Sequence, residues 1–249
     1  SGVRVKTSPT PGGQLASAQD LIIAPGNRVL VTASTTKKVV AFDAISGAYL
    51  SDFVPAGSGG LSYPTGLIIG PDGHLLVCSR NTNSVLKYNG TTGAFIAAFV
   101  TTGSGGLTSP FGLTYGPNGN LYVNSGGNQV LEYNGGSGAF IRVFVSTANN
   151  GGLSGARGMA FKPDGNLLVA SYNTDALIQY NGSTGASMGK WNSGGTATAL
   201  YLDGPWGARI LVGERDLGRA LNDLERIRHV RGARHARQVA PDFRVPHEP

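Results

Sequence analysis

The chain of 249 residues has a single cysteine, Cys78, and only 14% of its residues are charged. One cysteine excludes a disulfide within the chain, and its place inside an apolar run indicates a small buried side chain rather than a reactive thiol. No apolar run reaches the ~20 residues that a membrane-spanning helix needs, so we predict no membrane span. The low charge does not indicate disorder, because 40% of the residues are hydrophobic and their runs are periodic.

The net charge of +6 is unevenly distributed, because half of it lies in the last 46 residues. Residues 204–249 contain nine Arg and six acids. An isoelectric point near 9.6 would suit a nucleic-acid-binding protein. The remaining residues are nearly neutral along their length and show no basic stripe. We therefore expect no nucleic-acid partner.

Glycine is abundant, with 39 residues, and it marks an internal repeat. The segments that begin at Gly66, Gly112 and Gly158 share one pattern of apolar runs and turns. A more divergent copy of the pattern begins at Asp20. These four starts are each 46 residues apart. A period of ~40–50 residues that is rich in short strands is typical of β-propeller blades.

The second copy shows the strands expected in one blade. Pro71-Asp72-Gly73 and Asn89-Gly90 are hairpin-turn signals, and Arg80 to Asn83 is a polar loop. The four apolar runs between them predict antiparallel strands at residues 66–69, 75–78, 85–88 and 95–100. One equivalent position carries an aromatic residue in every copy, which predicts packing between neighbouring blades: Phe42, Tyr88, Tyr133 and Tyr180.

The order of these features resembles NHL-type β-propeller repeats. It runs Pro-x-Gly, an apolar run, Pro-Asp-Gly, a second apolar run, a polar loop with Asn, an apolar run that ends in an aromatic residue, and TGAF. The resemblance covers about residues 15–207 and is to versions found in secreted or surface-exposed bacterial proteins. It implies an extracellular or cell-surface location. Such repeats often carry an acidic residue after the second strand, where this chain has Ser79, Ser125 and Ser171.

We predict an all-β propeller of four complete four-stranded blades over residues 15–206. Residues 1–14 would supply an orphan outer strand of a preceding blade. Residues 207–249 would be an atypical Arg-rich tail, which begins as a partial fifth blade and continues as an irregular or helical segment. In this tail the repeat stops after Val212, and apolar residues follow at helical spacing. Two interpretations stay open: an amphipathic helix, or a tail translated in another reading frame.

The loops of a propeller divide between two faces. The loops between second and third strands and the links between blades share one face, here called the link face, and the hairpin turns share the hairpin face. The hairpin turns are nearly identical, whereas the link-face loops differ between copies, and variable loops on a fixed scaffold usually carry recognition. We therefore predict ligand contacts from Arg80, Asn81, Asn83, Phe111, Asn128, Arg157, Tyr172, Asn173, Asp175 and Trp206.

The main functional prediction is a non-enzymatic binding or scaffold propeller that recognises a protein, peptide or glycan through the link face. The alternative is a propeller-class hydrolase or lyase, lactonase-like, with a divalent metal such as Ca²⁺ in its central channel near Asn81 or Asn128. A third interpretation is a purely structural module. We assign no catalytic residue and no resident cofactor, because the chain has no G-x-S-x-G elbow and no Cys/His metal spacing. The oligomeric state stays open.

Overall fold

The computed structural model describes residues 15–191. Within this range the chain forms four antiparallel sheets of four strands each, and each sheet follows the chain order of its strands. The predicted all-β propeller of four complete blades is confirmed. The orphan strand at residues 1–14, the Trp206 contact and the tail at residues 207–249 lie outside the described residues.

The blades are named A to D in chain order. Blade A contains β1 (Ala18–Ala24), β2 (Arg28–Ala33), β3 (Lys38–Asp43) and β4 (Tyr49–Val54). Blade B contains β5 (Pro64–Ile69), β6 (Leu75–Ser79), β7 (Ser84–Tyr88) and β8 (Phe95–Val100). Blade C contains β9 (Leu113–Tyr115), β10 (Leu121–Ser125), β11 (Gln129–Tyr133) and β12 (Phe140–Val145). Blade D contains β13 (Ala156–Phe161), β14 (Leu167–Ser171), β15 (Ala176–Tyr180) and β16 (Ser187–Lys190).

Short 3-10 turns occupy the loops and links within the described range. Their bounds are Ser58–Gly60, Arg80–Thr82, Ser104–Gly106, Thr147–Asn149 and Tyr172–Thr174. No helix among residues 15–191 is long and apolar enough to cross a membrane.

The hydrophobic core lies between neighbouring blades. Tyr88, Tyr133 and Tyr180 are fully buried, as the recurring aromatic position predicted. The Tyr88 hydroxyl donates to the carbonyl of Ser58 at 2.8 Å, in the link that enters its own blade. Tyr133 and Tyr180 make the equivalent bonds to the links before blades C and D. Each tyrosine thus fills the space between two blades and fastens the link between them.

The first strands of adjacent blades approach each other at glycine. The Gly66 N–H donates to the Phe111 carbonyl at 2.6 Å, and a Cβ at Gly66 would lie 2.5 Å from that oxygen. Asp20 holds the equivalent position in blade A, and its carboxylate accepts from the N–H groups of Leu21 at 2.8 Å and Leu67 at 3.4 Å. Glycine at Gly66 and Gly112 therefore permits close contact between consecutive blades.

Three equivalent serines at the ends of the second strands join the links to the blades. The Ser125 hydroxyl accepts from the Thr108 N–H at 3.0 Å and bonds the Thr108 carbonyl at 3.1 Å. Ser79 and Ser171 make the same pair of bonds with Ser62 and Ser154. A hydroxyl can both accept and donate, so one side chain satisfies both backbone groups of a link residue.

Candidate functional site

The loops between second and third strands lie beside the links, as predicted for the link face. The Arg80 N–H donates to the Tyr63 carbonyl at 3.2 Å, and the Tyr172 N–H donates to the Gly155 carbonyl at 3.1 Å. In blade C the Gly126 N–H bonds Thr108 at 2.6 Å. These backbone bonds bring the variable loops and the first residues of each blade together on one surface.

A β-bulge sets the direction of the residue that opens blade D. The register between β13 and β14 shifts between Ala156 and Met159, so Arg157 lies in the irregular segment. The first strands of blades A and B carry shifts at the equivalent place. Bulges re-aim side chains and are frequent beside functional sites. The half-buried Arg157 side chain is thereby directed across the link face.

The Arg157 guanidinium is held by two aromatic rings. Its carbon lies 4.0 Å from the centre of the Phe111 ring and 4.9 Å from the centre of the Tyr172 ring. Both separations are within the range of cation–π attraction. Phe111 comes from the segment before β9 and is buried, whereas Tyr172 begins the turn after β14 and is half-buried. Three of the predicted site residues, from two blades, therefore meet.

The Asn124 side chain positions this stack from β10. Its carboxamide oxygen accepts from the N–H groups of Phe111 at 3.1 Å and Gly112 at 2.8 Å. Its carboxamide nitrogen donates to the Arg157 carbonyl. One buried amide therefore ties together the backbones that carry the ring and the guanidinium.

A second arginine–aromatic pair lies near the first. The Arg80 guanidinium carbon is 5.3 Å from the centre of the Tyr63 ring. Burial lowers the pKa of Arg157, and the nearby charge of Arg80 lowers it further. We call Tyr63, Arg80, Phe111, Arg157 and Tyr172 the arginine–aromatic cluster.

Two of the predicted site residues have a clear role in the loops. Asn83 and Asn128 have left-handed backbones, with φ of 51° and 56°. The Asn83 carboxamide oxygen accepts from the Ser109 N–H at 2.8 Å, and the Asn128 oxygen accepts from the Gly155 N–H at 2.8 Å. Asparagine tolerates this conformation better than most residues. Both side chains hold the link into the next blade.

The other predicted residues lie at the edges of this surface. Asn81 and Asn173 are exposed in their turns, and Asn173 donates to the Ser154 hydroxyl at 3.2 Å. Asp175 is also exposed and has a left-handed backbone, with φ of 47°. The structure therefore separates the cluster from a rim of polar loop residues.

Sequence reasoning did not identify Tyr63 and Asn124 as site residues. Both carry a signal that comparison of the repeats can find. Tyr63 occupies a position at which the other three repeats have a small residue: Ser17, Ser109 and Gly155. Asn124 is a polar side chain in a strand whose residues are all buried, and a buried amide group needs hydrogen-bond partners.

Within the described residues, a Ca²⁺ site would be built mainly from amide and backbone oxygens. No group of three or more His, Cys, Asp or Glu side chains comes together within residues 15–191. The Asn128 oxygen, a predicted ligand, accepts from the Gly155 N–H at 2.8 Å, and the Asn81 side chain is exposed. Ca²⁺ takes 6–8 oxygen ligands. One hydrogen bond leaves the Asn128 oxygen a second lone pair for such a site.

Comparison with known proteins gives a fold and no family. No protein-family model matches the chain, and no curated protein matches it. A gluconolactonase-like protein of known structure has a TM-score of 0.57 at 16% identity over 72% of this chain and 63% of its own. Hydrazine synthase from Kuenenia stuttgartiensis has a TM-score of 0.56 at 18% identity over 76% of this chain and 51% of its own.

A third similar structure is a catalytically inactive virginiamycin B lyase from Staphylococcus aureus with quinupristin. It has a TM-score of 0.53 at 18% identity over 70% of this chain and 55% of its own. The chain thus spans about half the length of the hydrazine synthase and lyase chains that it matches. At these identities the likeness establishes the β-propeller fold alone.

Proposed function

We propose that this propeller is a non-enzymatic binding module that recognises a protein, peptide or glycan through its link face. The observation that carries the proposal is the stack of Arg157 between Phe111 and Tyr172. Arginine and aromatic side chains are enriched where binding energy is concentrated in interfaces. A guanidinium held by two rings also loses little further freedom when a ligand binds.

The backbone around the cluster supports a preorganised binding surface. Asn124 bonds the backbones of Phe111 and Arg157, and Asn128 fixes the link at Gly155. A surface that is ordered before the ligand arrives binds at a lower entropic cost. We place the protein outside the cell or on its surface, a proposal that follows from the NHL-type resemblance.

The test combines ligand arrays with paired variants. Labelled chain is applied to a peptide array and a glycan array, and each retained ligand is titrated against Arg80→Ala, Tyr172→Ala and Lys162→Ala. Lys162 pairs with Asp164 at 2.6 Å in a hairpin turn, so it is a cationic control on the opposite face. We expect a loss of about tenfold or more for the two link-face variants. We expect the control to stay within about twofold of wild type.

Unchanged affinity in both Arg80→Ala and Tyr172→Ala would contradict binding through this face. Arrays that retain no ligand would instead favour a purely structural module. Circular dichroism and urea unfolding of each variant show whether a loss of binding arises from loss of the fold.

The second candidate is a hydrolase or lyase. The fold likeness to the gluconolactonase-like protein and to virginiamycin B lyase motivates it. Calorimetric titration with Ca²⁺, followed by lactone hydrolysis with and without a chelator, distinguishes the two proposals. Ca²⁺ binding together with chelator-sensitive hydrolysis would favour the enzyme, and the absence of Ca²⁺ binding would exclude a Ca²⁺-dependent one.

A further inference from the structure

The arginine–aromatic cluster concentrates positive charge on the link face. Arg157 lies 4.0 Å from the Phe111 ring and Arg80 lies 5.3 Å from the Tyr63 ring, and the backbone bond from Gly66 to Phe111 joins the segments that carry the two rings. Like charges at short range in a partly buried site cost free energy. An incoming anion would offset the repulsion between the two guanidinium groups.

The arrangement of the rings narrows the chemistry of the ligand. Sugars that bind by stacking need an open aromatic face. Phe111 is buried, and a guanidinium lies over one face of each tyrosine of the cluster. A guanidinium held over a ring directs its N–H donors within its own plane, which is the geometry that suits a carboxylate. The guanidinium groups of the cluster are therefore suited to carboxylates, and one face of each tyrosine is already covered.

We infer that the link face binds an acidic peptide segment, whose Asp or Glu carboxylates are received by Arg80 and Arg157. This inference rests on the proposed binding function and specifies its ligand. The loops support an extended peptide, because the exposed Asn81 follows Arg80 in its turn and the exposed Asn173 follows Tyr172 in its turn. Carboxamide groups can bond the backbone of a peptide laid across the surface.

Titrations with defined probes test the inference. The probes are a hexaglutamate peptide, the uncharged hexaglutamine peptide and an oligogalacturonate, each titrated into the full chain by calorimetry. We expect hexaglutamate to bind at least about tenfold more tightly than either of the other probes. We also expect its affinity to fall as salt is raised, because exposed charge pairs are screened.

Charge-matched variants locate the interaction. Arg80→Gln and Arg157→Gln each remove one positive charge from the cluster, and Lys162→Gln removes one from the hairpin face. We expect about a tenfold loss of hexaglutamate affinity in each arginine variant and a change within about twofold in the control. Both arginines are half-buried, but Arg157 lies within β13, where a change could disturb the fold, whereas Arg80 begins a loop turn, so Arg80→Gln keeps the test decisive.

Three results would overturn the inference. Hexaglutamine could bind as tightly as hexaglutamate, Lys162→Gln could weaken binding as much as the arginine variants do, or oligogalacturonate could bind more tightly than hexaglutamate. The last result would identify an acidic glycan as the ligand. If array ligands still depend on Arg80 and Tyr172 when hexaglutamate fails, the acidic-peptide inference is wrong and the proposed binding function stands. If no ligand of any class depends on those residues, both fail.

Discussion

Gly66 shows how the lack of one side chain sets the distance between two blades. Its N–H bonds the Phe111 carbonyl at 2.6 Å, and a Cβ there would lie 2.5 Å from the same oxygen. Gly66→Ala must therefore displace the inner strand of blade B from blade C. We expect a loss of about 1–3 kcal/mol in the free energy of unfolding, measured by urea denaturation.

Gly127 provides a matched control for this substitution. Its φ is not positive, and the nearest atom to a Cβ there is in the Gln129 side chain at 3.5 Å, an ordinary contact. We expect Gly127→Ala to stay within about 0.5 kcal/mol of wild type. Equal stability of the Gly66→Ala and Gly127→Ala variants would show that the close approach of the inner strands contributes no stability.

The sequence repeat predicts the roles of some residues and not of others. The turns at Pro71-Asp72-Gly73 and Asn89-Gly90 and the packing of Tyr88 could be predicted, because each depends on local backbone preference or on an apolar period. The Arg157 stack could not be assembled in advance. Phe111 and Arg157 occupy the same position in consecutive copies, so a repeat alignment superposes them and carries no information about their contact.

At the scale of the element, the strands of blade C enclose a carboxylate that the other blades lack. Glu132 in β11 is 2% exposed. It accepts from the Tyr122 hydroxyl at 2.9 Å and from Arg142 Nε at 2.6 Å, and the amides of Asn118 and Asn120 complete the set. Burial by itself would raise the pKa of Glu132, but these hydrogen bonds outweigh it and the pKa is lowered. The equivalent positions are Lys87 in blade B and Gln179 in blade D.

The lowered pKa gives a pH dependence with a definite sign. A carboxyl with a folded-state pKa below its unfolded value of about 4.3 stabilises the fold fully above that pH and loses the contribution as pH falls. We expect Glu132→Gln to cost about 2–4 kcal/mol near neutral pH. We expect the difference from wild type to shrink below about pH 4, measured by urea denaturation across the acid range.

Asp164 in the hairpin turn of blade D is the control for this prediction. It pairs with Lys162 at 2.6 Å, and its side chain is 48% exposed. An exposed pair contributes only about 0–1 kcal/mol, so Asp164→Asn should change stability little at any pH. A cost for Glu132→Gln that stays constant down to acid pH would contradict the role given to the ionised carboxylate.

The first strands of the four blades differ in length, which the repeat does not predict. The repeat suggested equal inner strands, but β9 contains only three residues, Leu113–Tyr115. The Asn124 side chain accepts from the N–H groups of Phe111 and Gly112, and its backbone N–H donates to the Gly112 carbonyl at 3.0 Å. A side-chain amide thus satisfies backbone donors beside this short strand, at the position of the arginine–aromatic cluster, and periodicity does not encode that role.

At the scale of the whole molecule, Cys78 reports on the packing between blades B and C. It is fully buried in a cluster that includes Phe99 and Leu121, and burial raises the pKa of its thiol, with a further contribution from the charge of Asp20. We expect a thiol reagent to label the folded chain slowly, even at about pH 9, because the reactive thiolate stays scarce. Labelling should accelerate with urea in step with the loss of circular dichroism.

The Gly66→Ala variant sharpens this measurement, because it disturbs the same pair of blades. Faster labelling of this variant than of Gly127→Ala would show that opening between blades B and C controls access to the thiol. Labelling of the folded wild-type chain at the rate of a small free thiol would contradict the buried position of Cys78.

Blades B, C and D share one hydrogen bond, from a tyrosine hydroxyl to the link that precedes the blade. This shared bond bears on how the number of blades can change in evolution. Tyr88, Tyr133 and Tyr180 each bond a backbone carbonyl, which every residue supplies, so the bond does not depend on which blade comes before. Unequal recombination between two copies, joined at equivalent points, would therefore add or remove a whole blade while this bond is kept. The number of blades could change in one genetic event, and selection could then diversify the loops of the new copy.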